Sequence, residues 1–110
     1  MAFSPDGDFL ATGGGDDVVR LWSPATGEPV REPLIDHTGS VFAVAFGPNG
    51  HLLATGGLDG AVRLWSPTTG HPVGDPLTGH AKWVSAVAFR PDGHLLASAG
   101  GSDGTLRVWE

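Results

Sequence analysis

The stretch SVFAVAFGPNGHLLATGGLDGAVRLW, residues 40–65, decides the fold. Its first seven residues are apolar on both faces of an extended chain and rich in Val and Phe, the composition of a strand covered on both sides. Gly47, Pro48, Asn49 and Gly50 follow. Proline presets a turn φ and the Asn-Gly pair accepts a positive one, so the chain reverses into a hairpin. Residues 51–56 are predicted as a second strand, Leu58, Asp59 and Gly60 as the next tight turn, and residues 61–65 as a third strand, in which Val62 and Leu64 alternate with Arg63 and Trp65. Residues 66–70 turn the chain once more, and residues 72–77 are expected to add a short fourth strand. Prolines at 72 and 76 cannot donate to a ladder, which confines that strand to the edge. Four antiparallel strands result, with no helix anywhere.

This unit is repeated. Phe3, Phe46 and Phe89 are spaced by 43 residues, as are Trp22 and Trp65, while Trp109 follows 44 later because one residue is inserted near Gly101. Residues 2–44 and 45–87 agree at more than half of their positions. A period in the forties, with glycine turns and a strand that ends in tryptophan, is the signature of a propeller blade. The expected fold is therefore all-β, built from blades of four-stranded antiparallel sheet, about three to the chain and incomplete. Residues 1–110 read as one partial propeller with repeats at 1–44, 45–87 and 88–110. Met1, Ala2 and Phe3 occupy the places of Val44, Ala45 and Phe46, so the first repeat enters at the end of its inner strand, and the last stops at Trp109 and Glu110 after its third. Eleven strands are expected, the first a stub.

Composition narrows the function. At 110 residues the chain has the length of one small domain and would bury roughly 65% of its extended surface. Forty per cent hydrophobic against 16% charged residues argues against a disordered acidic chain. No apolar run approaches the ~20 residues of a helical membrane span, and the first residues show no basic-then-apolar leader. The absence of cysteine rules out disulfides and thiolate metal sites and suits the cytoplasm, which is the expected location. A net charge of −6 opposes nucleic acid and anionic membranes, because both are bound by neutralising phosphates. Arg20, Arg63 and Arg107 fall at one equivalent position of each repeat, so they are spread along the molecule and read as a solvated strand face.

The repeated turns and tryptophans resemble the WD-repeat β-propeller family, in which Gly-His precedes the inner strand and Trp-Asp closes the third. The resemblance covers the whole chain. It implies a hydrogen-bonded relay in each blade made of a histidine, a second-strand Ser or Thr, a turn Asp and the Trp. The matching residues are His37, Thr55, Asp59 and Trp65, then His80, Ser98, Asp103 and Trp109, with Thr12, Asp16 and Trp22 in the first repeat. In that relay Asp is expected to accept from His, and His from Trp. The chain departs from the family pattern in having Ser23, Ser66 and Glu110 after the tryptophans, Asp36 before His37, and Asp17 where Gly60 and Gly104 stand.

Ser or Thr, His and Asp in one unit look like a catalytic triad, but a constellation repeated in every blade serves structure, since an enzyme concentrates its perturbed groups at one site. No catalysis and no cofactor is expected. His51, His71 and His94 have no histidine partner at metal-ligand spacing, and Gly13, Gly14 and Gly15 are followed by neither Lys-Ser nor a helix, so they do not read as a phosphate cradle. Asp6 and Asp92 share their hairpin position with Asn49, which cannot act as an acid or base. Turn chemistry accounts for all three.

Because strand directions alternate, the loop before the first strand and the loop between the second and third share one end of the blade. There the repeats diverge: Thr38, Gly39 and Ser40 against Ala81, Lys82 and Trp83, Phe42 against Ser85, and Gly15, Leu58 and Ser102 beside the turn aspartates. Ser40, Phe42, Leu58, Lys82, Trp83, Ser85 and Ser102 are thus the candidate protein-binding residues, with Trp83 and Leu58 as anchors. The resemblance implies a rigid, non-catalytic scaffold for protein partners. About three blades do not close a ring, so either copies of the chain complete it as a homo-oligomer, giving six blades from two chains or nine from three, or the chain is cut from a longer propeller. An alternative is a lectin-like oligomeric propeller whose tryptophan faces stack on sugars at repeated sites.

Overall fold

A computed structural model describes residues 2–13, 18–30, 34, 39–48, 50–67, 69–74, 77, 83–91, 95–100 and 106–109. Among these residues there are nine strands in three antiparallel sheets. β1 (Ala2–Phe3), β2 (Leu10–Gly13) and β3 (Val19–Trp22) make blade 1. β4 (Val41–Phe46), β5 (Leu53–Gly57) and β6 (Val62–Trp65) make blade 2, and β7 (Val84–Phe89), β8 (Leu96–Gly100) and β9 (Leu106–Trp109) make blade 3. Each sheet is a simple meander in chain order.

Among the described residues the turns of blade 2 form where the sequence places them. Gly50 takes φ 77°, and its N–H donates to Gly47 O at 3.0 Å, while Gly47 N–H reaches Leu52 O at 2.8 Å. These bonds draw His51 and Leu52 into the turn, so β5 begins at Leu53, two residues later than the pattern predicts. The registers repeat: Leu10 faces Trp22, Leu53 faces Trp65, and Leu96 faces Trp109. A bulge interrupts β4 between Val41 and Ala43 and β7 between Val84 and Ala86. It breaks the expected double-sided burial of the inner strand and leaves Phe42 45% exposed. β1 is the expected stub, paired only through Ala2 with Ala11 and Phe3 with Leu10.

The predicted fourth strand needs correction, and with it the count of eleven. Among the described residues, the segment after Trp65 meets the sheet at two isolated bridges, Trp65 with Pro72 and Val62 with Leu77, and the first repeat does the same with Trp22 and Pro29 and with Val19 and Leu34. Val73 N–H still donates to Leu64 O at 2.8 Å, but Pro72 has no N–H to give. Among the described residues each sheet therefore has three strands, with an edge segment attached at points in the first two repeats.

The core lies between the sheets. Strand alternation sends Leu53, Thr55 and Trp65 to one face of blade 2 and Ala54, Val62 and Leu64 to the other. Leu53 and Trp65 close a cluster with Ala11, Val19, Leu21, Leu34 and Val41, packed by Val44 and Phe46, between blades 1 and 2. Ala54 and Val62 form the second cluster with Val84 and Leu96, packed by Leu64, Leu77, Val87, Phe89 and Trp109, between blades 2 and 3. Blade 2 is thus covered on both faces.

Each joint is tightest at a glycine. A Cβ built on Gly13 would lie 2.6 Å from Val41 Cγ1, and one on Gly56 would lie 2.6 Å from Val84 Cγ1. Neither glycine has a positive φ, so it is the approach of the neighbouring blade that excludes a side chain. Gly56→Ala should cost about 1 to 3 kcal/mol by overpacking. In a urea-denaturation double-mutant cycle, Gly56→Ala with Val84→Ala should be less destabilising than the sum of the single changes; strict additivity would contradict this contact.

Candidate functional site

The tryptophan that ends each third strand stands diagonally across from a second-strand hydroxyl. Thr55 opposes Arg63 directly, and Trp65, two residues further along β6, shares its face. The indole Nε1–H of Trp65 donates to Thr55 Oγ1 at 2.9 Å, that of Trp22 to Thr12 Oγ1 at 2.9 Å, and that of Trp109 to Ser98 Oγ at 2.9 Å. The expected order is corrected here, since in all three blades the tryptophan gives its proton to the hydroxyl and not to a histidine. His37, His80, Asp16 and Asp103 lie outside the described residues.

Asp59 anchors the turn between β5 and β6. One carboxylate oxygen accepts Ala61 N–H at 3.1 Å and the other accepts from Arg63 Nη2 at 3.3 Å. The Arg63 side chain is only 16% exposed and that of Asp59 8%, so the reading of a solvated arginine face fails at this position. Arg107 is exposed as expected. Arg63 Nε is buried without a hydrogen-bond partner, which raises the cost of disturbing the pair.

Asp6 does what turn chemistry requires. Its carboxylate accepts the Ser4 hydroxyl at 2.6 Å and Asp8 N–H at 3.0 Å, and Ser4 Oγ in turn accepts Phe9 N–H at 3.0 Å. The Ser4 hydroxyl first and the Asp8 amide second hold its carboxyl below the ordinary aspartate value. A depressed folded-state value contributes stability above the unfolded value, lost as pH falls through the lowered one. The group is exposed, and its two hydrogen bonds cap the hairpin turn.

The rim at the β4 start and the β5–β6 turn gathers several of the residues singled out from sequence divergence. Leu58 N–H donates to Ser40 O at 2.8 Å, tying the two loops of blade 2 together. Gly39 lies beneath Leu58, where a Cβ would come within 2.9 Å of Leu58 Cβ. Phe42 and Trp83 meet edge to face, with ring centroids 5.1 Å apart and planes at 73°, across the joint between blades 2 and 3. This contact was not legible from the repeats, because Phe42 aligns with Ser85 and Trp83 with Ser40. Ser85 Oγ donates to Ala99 O at 3.3 Å within its own blade. Leu58 is 56% exposed, so the rim carries apolar surface on an ordered frame. Lys82 and Ser102 lie outside the described residues.

The geometry agrees with what comparison finds. A family model described as "WD domain, G-beta repeat" matches residues 1–23, 27–66 and 70–110. Two solved structures, described as "Structure of U3-55K" and "Crystal structure of RRP9 WD40 repeats", are each 29% identical to the chain with a TM-score of 0.88, covering 99% of it. The chain spans about a third of their length, 32% in each case. No curated protein matches it in sequence.

Thr55→Val removes the acceptor from a fully buried indole N–H and should cost about 1 to 3 kcal/mol in urea denaturation. Thr12→Val should cost less, because Trp22 is only half-buried and water can replace the hydroxyl. Equal losses would contradict this ranking. Asp59→Ala strands the Arg63 guanidinium and should lower stability by about 3 kcal/mol, read as a fall in melting temperature; an unchanged melting temperature would remove Asp59 from the account.

Proposed function

This chain belongs to the WD-repeat family of propeller blades, and from that premise we propose that it is a non-catalytic protein-interaction scaffold engaging its partner through the rim of Phe42, Leu58 and Trp83. The observation that carries the reading is the Phe42–Trp83 edge contact. It bridges two blades and holds both rings in place before any partner arrives, which lowers the ordering cost of binding. Aromatic residues held in this way are the usual anchors of an interface. Leu58, seated on Gly39 and tied by its N–H to Ser40, adds a second apolar contact.

The Ser or Thr, Asp and Trp groups of the relay support structure in this reading. Each indole proton is given to a hydroxyl, and Asp59 is engaged by Ala61 N–H and Arg63, so these groups already have structural work. Trp65, at 2% exposed, offers no face to a sugar, which weighs against the sugar-stacking alternative in blade 2. The net charge of −6 favours a partner surface that is neutral or basic.

A photocrosslinking residue placed at position 83 should capture a protein from cell extract, and one at Thr69, in the turn at the other end of the blade, should not. Trp83→Ala should weaken binding of the captured protein at least tenfold while leaving the melting temperature within a few degrees, because the lost ring contact is worth only about 0.5 to 1.5 kcal/mol. Equal capture from both positions, or undiminished binding by Trp83→Ala, would overturn the rim assignment.

A further inference from the structure

Three of the four tryptophans spend their indole proton inside the fold, and the fourth does not. Trp22, Trp65 and Trp109 end third strands, where the register puts a second-strand hydroxyl on the diagonal, and each donates its Nε1–H to that hydroxyl. Trp83 stands just before β7, outside the ladder, and its repeat equivalent is Ser40. Its indole N–H has no hydrogen-bond partner among the described residues. Among those residues the buried side-chain donor without a partner is Arg63 Nε, so the unpartnered Trp83 Nε1 is open to solvent.

This spare donor sits beside apolar surface. Phe42 meets Trp83 with the ring planes at 73°, so the two rings form the walls of a corner and not a flat patch. Phe42 is exposed and Trp83 half-buried. Both belong to the joint between blades 2 and 3, which the chain itself supplies in full. The bulge between Val41 and Ala43 is what turns Phe42 out of its strand toward the neighbouring blade. A ligand for this corner needs flat apolar groups for the rings and a hydrogen-bond acceptor for the indole.

We propose that the corner binds a proline-rich segment of the partner in the polyproline II conformation, its proline rings packed on Phe42 and Trp83 and one backbone carbonyl accepting the Trp83 indole N–H. The proposal rests on the rim reading and names the chemistry of the partner. A helix offers no such acceptor, because its carbonyls are bonded along its own axis. An added β-strand needs a row of backbone donors and acceptors, whereas the corner presents a single donor. A polyproline II segment has no internal hydrogen bonds, so its carbonyls are available, and its conformation is set before binding. Rings that are already held against each other and a ligand that is already extended lose little freedom on meeting. The net charge of −6 favours prolines flanked by basic residues.

A synthetic peptide of about ten prolines flanked by arginines tests it, against a control in which alternating Gly and Ser replace the prolines. The indole N–H resonances of the isotope-labelled chain are followed by NMR, the Trp83 resonance being the one missing from Trp83→Phe. The proline peptide should shift that resonance saturably and leave those of Trp22, Trp65 and Trp109 in place, and the control should shift none. Trp83→Phe keeps a ring and loses the donor, so calorimetry should show binding weakened about fivefold, the worth of one hydrogen bond. Trp83→Ala, which loses the ring as well, should weaken it further. Both variants should melt within a few degrees of the native chain, which separates lost binding from lost fold. No shift at Trp83, an equal shift with the control, or undiminished binding by Trp83→Phe would overturn the proposal. Protein capture from position 83 with no response to the proline peptide would sink this inference and leave the rim reading standing, whereas loss of capture would remove both.

Discussion

A meander of three strands, each two to six residues long, has two faces and no means of burying either by itself. Everything else in this molecule follows from that constraint. The sheets stack so that each lends its inner strand and its tryptophan to the face of the one before, and the buried side chains fall into two clusters at the two joints. Blade 2, covered on both sides, holds the most completely buried strand, with all five residues of β5 inaccessible. Among the described residues, blades 1 and 3 each contribute one face to these joints. Stability in such an array is a sum of weak blades and strong joints, as expected for repeat proteins.

Close stacking makes two demands, and the same strand meets both. On one side of β5, Gly56 omits a side chain so that Val84 can approach. On the other, Thr55 supplies the acceptor without which the indole N–H of Trp65 would be buried unmet. Alternation along the strand keeps the two roles apart. The rim inherits its order from this packing, since Phe42 and Trp83 come from adjacent blades and meet only because the joint brings β4 and β7 to a fixed spacing.

Within a blade, much was legible in the sequence. The 43-residue period, the Gly50 and Gly60 turns and the Val62 to Trp65 alternation specify hairpins whose geometry is local, and those hairpins form. What escaped the reading was contact between blades or competition for donors. Equivalent positions in a repeat show which residues play the same part, but not which of them touch, so the Phe42–Trp83 pair and the Gly13–Val41 and Gly56–Val84 contacts were hidden. A signal for the latter exists: glycine recurs at 13 and 56 without a turn to require it, and valine recurs at 41 and 84. The acceptor of the tryptophan hydrogen bond differs from the expected one because chain order does not rank acceptors, whereas the diagonal register of β5 and β6 puts the hydroxyl first. The prolines that place the fourth segment at an edge also thin its ladder to isolated bridges.

Hydrogen exchange of the native chain, read at the backbone amides and the three blade-closing indole N–H groups, tests most directly whether the joints carry the stability. If they do, protection is greatest in β5 and β6 and at the Trp65 indole, and lower in blades 1 and 3, which are each covered on one face. Equal protection across the three blades, or a maximum in β9, would mean that the sheets are stabilised from within and that stacking is not the organising interaction.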